Sequence, residues 1–211
     1  MKVKLTGMRI GVPLFFVFMI GCTPATFEAG RQIMSGRNAL LMRDPAAALP
    51  SFQAITESDP NYINCTQGFC VGIWTYLGRT YHELGNNQKA LESLKRGKGL
   101  HESDRFNAIY LGLVMAGMGE AREGKAVLDA GLKDLGTWLA GFAGRGNPGR
   151  YWDPGRHLQR AIADTQKSIQ GDPINWRSVD RDIHRLALNF EQEVRDVSTE
   201  REEALSQDVG R

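Results

Sequence analysis

Apolar residues return every three or four positions along most of this chain, the spacing of helices that bury one face. Trp74, Leu77 and Tyr81 make one such stripe, and Ala90 with Leu94 makes the next. Between them Gly85 ends one helix, and Asn86 or Asn87 can cap the following one. Gly78 lies on the first stripe and leaves room for a second helix to approach closely. Further on, Asp153-Pro154 opens a helix with Leu158, Ile162, Thr165 and Ile169 on one face, ended by Gly171. The longest stripe lies between Trp176 and about Ala204 and carries Ile183, Leu186, Phe190, Val194 and Val197. The tail Ser206 to Arg211 reads as frayed. No segment alternates with period two, so the expected fold class is all-α, with no sheet.

The pattern also repeats. Trp74, Leu77-Gly78 and Tyr81, followed by Ala90 and Leu94, resemble a tetratricopeptide repeat in residue type and spacing. Upstream, Ala48, Phe52, Ile55 and Pro60 follow the second-helix pattern, with Gly36 and Ala39 at the close-packing positions of the first helix. Pro45 suits the opening turn of that second helix, and Pro50 is read as a late first turn or a kink. Residues Asn61 to Phe69 are then an insertion between repeats. Downstream, Leu111-Gly112, Met115 and Gly119 echo the central unit, with Ala108 in place of the Trp. Ala126 and Ala130 are expected at the Ala90 and Leu94 positions, after about two extra residues in the turn. The resemblance implies a short helical-hairpin solenoid of about three repeats over residues 22–135. Residues 136–211, from within the apolar Leu132 to Phe142 helix with its Trp138, would be C-terminal capping helices.

The N-terminus reads as an address. Lys2, Lys4 and Arg9 precede the uncharged apolar run Ile10 to Ile20, too short to span a bilayer comfortably. On those residues alone, a signal peptide and a short anchor both remain open. Met19-Ile20-Gly21-Cys22 resembles the lipobox of bacterial lipoproteins, which implies a signal peptide over 1–21 and lipidation (acyl chains such as palmitate) of Cys22. Thr23, rather than Asp, follows the cysteine and implies sorting to the outer membrane, with the protein facing the periplasm. Export also changes the charge. The whole chain is formally +2, and three of its basic residues with no acidic ones fall in 1–21, so the mature part is near −1. The basic precursor pI therefore gives no argument for nucleic acid. In an oxidising compartment Cys65 and Cys70 can pair. Five positions apart on a helix they would point roughly 140° away from each other, so a bridge needs a bent loop, which Gly68 permits; two buried free thiols are the alternative.

Three places carry candidate chemistry. In the repeat family, the first-helix positions that face the groove fall on Arg37, Thr75, Arg79, His82 and Glu83. Arg37 and Arg79 share one repeat position, and two guanidinium groups suit a carboxylate or an acidic segment. The same face of the third unit holds Phe106, Ile109, Leu113 and Ala116, so either a partner's apolar helix or the chain's own C-terminal helix fills it. The second place interleaves Arg145, Arg150, Trp152, Arg156 and Arg160, a possible anion patch or a solvated face with Trp152 turned inward. The third is the glycine-rich Gly141 to Gly149, which lacks the strand and Lys-Ser/Thr of a phosphate loop. His82, His101, His157 and His184 are scattered, with His157 after Asp153 and His184 after Asp182 read as surface pairs. No catalytic motif, metal site or cofactor is expected. The resemblance implies a lipid-anchored protein–protein scaffold serving envelope assembly, secretion or pilus machinery. A small-molecule or glycan-binding accessory lipoprotein of a transporter is the competing class.

Overall fold

The computed structural model describes residues 24–142 and 152–209, so the leader 1–21, Cys22, Arg145 and Arg150 lie outside the described residues. What is described is overwhelmingly helical. Three helix pairs come first: α1 (Pro24–Leu41) with α2 (Pro45–Ser58), α3 (Ile73–Glu83) with α4 (Asn87–Gly97), and α5 (Arg105–Gly117) with α6 (Ala121–Phe142). Two further helices follow, α7 (His157–Ser168) and α8 (Trp176–Val209). Among the described residues no helix is long and apolar enough to cross a membrane.

The three pairs are built on one plan. Each turn has three residues, and each ends its first helix with the same two bonds. Asp44, Asn86 and Glu120 donate their backbone N–H to the carbonyls of Ala39, Tyr81 and Met115. Arg43, Gly85 and Gly119 donate to Leu40, His82 and Ala116. That is the Schellman closure, which ties off carbonyls the helix would leave free and needs a left-handed residue after its end. Asp44 and Asn86 then cap the second helices by accepting the N–H of Ala47 and Lys89, at 2.9 and 3.2 Å.

Close packing follows the same register. A Cβ at Gly36 would strike the Phe52 ring, and one at Gly78 would stand 2.5 Å from Leu94 Cγ. At Gly112 it would strike the backbone of α6 at Gly124 and Leu128. The partner lies sixteen residues downstream in all three pairs. This corrects the expected third unit: its turn has no extra residues, and Gly124 and Leu128, not the exposed Ala126 and Ala130, occupy the Ala90 and Leu94 positions. The expected boundary at residue 135 also falls inside α6, which runs on without a break.

One departure is larger. The insertion before α3 is a β-hairpin, not a featureless segment. β1 (Ile63–Thr66) pairs antiparallel with β2 (Phe69–Gly72), in the register Cys65 opposite Cys70 and Thr66 opposite Phe69. Gln67 and Gly68 form its loop with φ of 48° and 84°, the double positive φ of the tight turn whose twist matches paired strands. Cys65 and Cys70 face each other and are joined, with S–S 2.06 Å. All four residues of β2 are buried, which is why no alternation showed. The hairpin delivers Phe69 to the middle of the molecule, where its ring meets Phe106, Trp138, Trp152 and Phe190 at 5.0–5.6 Å.

Candidate functional site

The face formed by α1, α3 and α5 is covered by α8. Ile183, Leu186, Phe190, Val194 and Val197, the stripe seen in the sequence, are all buried. Phe106, Ile109, Leu113 and Ala116 are buried as well, and Phe106 stands edge-on to Phe190 of α8 at 5.3 Å. The groove is therefore closed by the chain itself, the second of the two occupants the sequence left open. An apolar cavity remains behind α8, lined in part by Arg79, Tyr110, Phe190 and Glu191, of about 10 Å³. That is room for a single water.

Arg37, Arg79, His82 and Glu83 all meet α8. Arg37 Nε donates to Glu191 Oε2 at 2.7 Å, and Arg79 Nη1 stands 3.7 Å from Glu191 Oε1. Arg79 Nε donates to Glu83 Oε1 at 2.7 Å, and the His184 imidazole Nδ1 lies 3.1 Å from that same oxygen. His82 contacts Asn87 Oδ1 at 2.7 Å and Asp180 Oδ1 at 2.8 Å. Both neighbours are acceptors, so the doubly protonated ring satisfies both. The carboxylate beside the two arginines is the chain's own Glu191, on α8, where a partner's acidic segment was expected. Only 7% of Arg37 and 3% of Arg79 is exposed, so neither is presented to an outside partner in this conformation.

Burial and pairing compete at each of these groups. Burial disfavours the Arg37 and Arg79 cations, yet nearby tyrosines and the Glu191 carboxylate, with Glu83 for Arg79, hold both pKa values above the ordinary arginine range. Burial would raise Glu83, but the hydrogen bonds from His184 and Arg79 hold it below the usual carboxylate value. Burial also opposes charging of His82, and its bonds to Asp180 and Asn87 outweigh it, so its pKa is raised.

Thr75 belongs to a different network that the sequence did not reveal. Its hydroxyl donates to Asp104 Oδ2 at 2.7 Å, and the Gly72 N–H donates to the same oxygen at 2.8 Å. Asp104 Oδ1 caps α5 by accepting the Asn107 N–H, while Asn107 Nδ2 donates to Thr75 Oγ1 and to the Leu94 carbonyl. Asp104 thus ties the hairpin, α3 and α5 together, and Asn107 adds α4. Burial, opposed by those hydrogen bonds, pushes the Asp104 carboxyl up to about 6.

No family model, curated protein or solved structure matches this chain.

The other sequence-predicted group comes apart. Trp152 is in the core beside Trp138, Phe69 and Phe190, so the proposed anion patch lacks its aromatic member. Arg156 and Arg160 are exposed at the start of α7. Asp153 is buried there and accepts the N–H groups of Leu158 and Gln159 at 2.9 Å, which caps that helix. His157 lies 3.1 Å from Asp153 and 3.5 Å from Glu193, and His184 pairs with Glu83, so neither histidine makes only the local pair expected. Among the described residues no cluster of His, Cys, Asp or Glu could hold a metal ion.

Proposed function

We propose that this chain is a lipid-anchored scaffold protein, tethered through Cys22 to the outer membrane and built on a tetratricopeptide-like array facing the periplasm. The single observation that supports this reading is the threefold recurrence of one helix-pair plan, with the same turn bonds and the same glycine-to-large-residue contact. Arrays of that kind present extended surfaces, and their usual role is to hold another protein. The inner surface here already holds a helix, α8, through Glu191. A partner therefore displaces α8 or docks outside it. A ligand-binding role for the apolar space behind α8 would need a cavity of some hundreds of Å³, and that space is about 10 Å³; the larger clefts, of about 210 and 510 Å³, lie elsewhere.

Cross-linking in whole cells, followed by purification of the tagged chain and mass spectrometry, tests the reading. A discrete envelope protein should be enriched over an unrelated lipoprotein purified alongside, and Cys22→Ser should move the chain out of the membrane fraction because the acyl chains supply its affinity. Equal recovery of every protein from both baits would overturn the scaffold reading. Unchanged fractionation of Cys22→Ser, with no lipid on the mature cysteine, would overturn the anchor.

A further inference from the structure

The turns that close the three helix pairs each place one residue in the left-handed region. In two of them it is glycine, Gly85 and Gly119; in the first it is Arg43, at φ 59°. A side chain there crowds the backbone and is disfavoured relative to glycine. Such outliers persist where something is gained from the side chain. Arg43 is exposed and helps form a cleft of about 260 Å³ between this turn and α8, with Asp180, Arg181, His184, Arg185 and Leu188 as its other lining. Asp180 is engaged by His82, and His184 is turned to Glu83. Arg43, Arg181 and Arg185 take part in none of the described ion pairs; the one hydrogen bond described for Arg181 is a long 3.5 Å approach to Ser178 Oγ. The cleft is therefore net positive, and its cations stand in solvent.

We infer that this cleft docks an acidic segment of a partner protein, a short run of Asp or Glu side chains, on the reading of the chain as a scaffold. Arg181 and Arg185 stand one helical turn apart, about 6 Å, and Arg43 enters from a separate element. Charge spread along that length fits successive carboxylates better than one compact oxyanion. Guanidinium groups suit carboxylates because they can bind them through two parallel hydrogen bonds. The site lies outside the groove that α8 fills, so a partner can use it with the fold closed.

Fluorescence anisotropy with the purified chain and a labelled peptide of four consecutive glutamates, flanked by Gly and Ser, reads this directly. Arg43→Gly should weaken binding about fivefold while the melting temperature rises by about 2–4 °C, a combination that a purely structural role for Arg43 does not produce. Arg181→Gln with Arg185→Gln should weaken it by about tenfold or more. A double Arg122→Gln, Lys125→Gln change near the α7–α8 connection should leave it unchanged. Equal binding of a control peptide with four glutamines in place of the glutamates, unchanged affinity of Arg43→Gly, or an equal loss in the Arg122/Lys125 control would overturn the cleft. Complete displacement of the peptide by millimolar inorganic phosphate would make it a small-oxyanion site instead and overturn the peptide assignment. Failure here, with an envelope partner still recovered from cells, removes the cleft and leaves the scaffold reading standing.

Discussion

Two buried carboxylates hold this molecule together in opposite ways. Glu191, on α8, is set between Arg37 and Arg79, so its charge is answered by charge. Asp104, at the joint of the hairpin with α3 and α5, is held by a backbone N–H from Gly72, a hydroxyl from Thr75 and the Asn107 N–H, all neutral. Both side chains are nearly inaccessible, and the environments separate them. In the first seam Glu191 is the one carboxylate described beside Arg37, while Arg79 has Glu83 as well. The second tolerates a proton, and burial favours one. One seam is thus a charge lock, and the other is a hydrogen-bond knot that responds to pH.

The charge lock gives the largest expected effect. Glu191→Ala leaves Arg37 buried without its carboxylate and Arg79 with Glu83 alone, and removing one partner of a buried pair costs about 3–5 kcal/mol. That is a large share of the about 5–15 kcal/mol by which domains are stable. Urea unfolding should show the loss, and limited proteolysis should cut α8 early. Glu191→Gln, which keeps an acceptor for Arg37 Nε, should lose less. If Glu191→Ala unfolds at the parent's urea concentration, α8 is held by its apolar stripe alone and the contrast between the seams fails.

Much of this was legible in the sequence, for local reasons. Gly85 after one helix, Asn86 before the next, and the apolar stripe of α8 depend on neighbours a few residues away, and the structure places them as read; Asp153-Pro154 instead precedes α7, which begins at His157 and ends at Ser168, short of Gly171. Long-range pairings were not legible. Glu191 is one acid among several on a polar helix, and its arginine lies 154 residues upstream. Phe69 carries no strand signal, because a strand of four buried residues shows no alternation. In the third pair Gly124 stands at the position that Ala90 holds in the second, and glycine carries no apolar signal, so the sequence points two residues too far on, to Ala126. Asp104 carries no local cue to its bonds with Gly72 and Thr75, which lie far upstream.

The hydrogen-bond knot predicts an effect of intermediate size, with a definite sign. The Asp104 carboxyl titrates near 3.8 when unfolded and at about 6 when folded. Between those values the native state keeps a proton that the unfolded chain has released, so stability falls as pH rises through the interval. A two-unit difference corresponds to about 3 kcal/mol at most. Glu193 is raised as well, mainly by burial, and adds slope of the same sign. Comparison with Asp104→Asn isolates the Asp104 share: the variant's stability should depend less on pH between 4.5 and 6. An identical slope in both proteins would mean that Asp104 is ionised throughout, and that neutral donors suffice to hold a buried charge.

The smallest effect lies at the rim of the charge lock, where His82 meets Asp180 on α8. Asp180 is half exposed, so the pair is worth about 1 kcal/mol or less. The folded imidazole titrates above its ordinary 6.5 because Asp180 and Asn87 favour the charged ring more than burial opposes it. Its contribution is therefore complete below pH 6.5 and disappears as pH rises through the folded value. His82→Gln should cost up to about 1 kcal/mol at pH 5.5 and almost nothing at pH 9. Asp180 also lines the arginine cleft, and without a charged His82 its carboxylate acts on that cleft unopposed. The same substitution should then weaken the glutamate peptide slightly at pH 5.5 and leave it unaltered at pH 9. A stability loss that stays constant over this range would mean that His82 contributes by packing, so that the lock's charge coupling ends at Glu83 and His184.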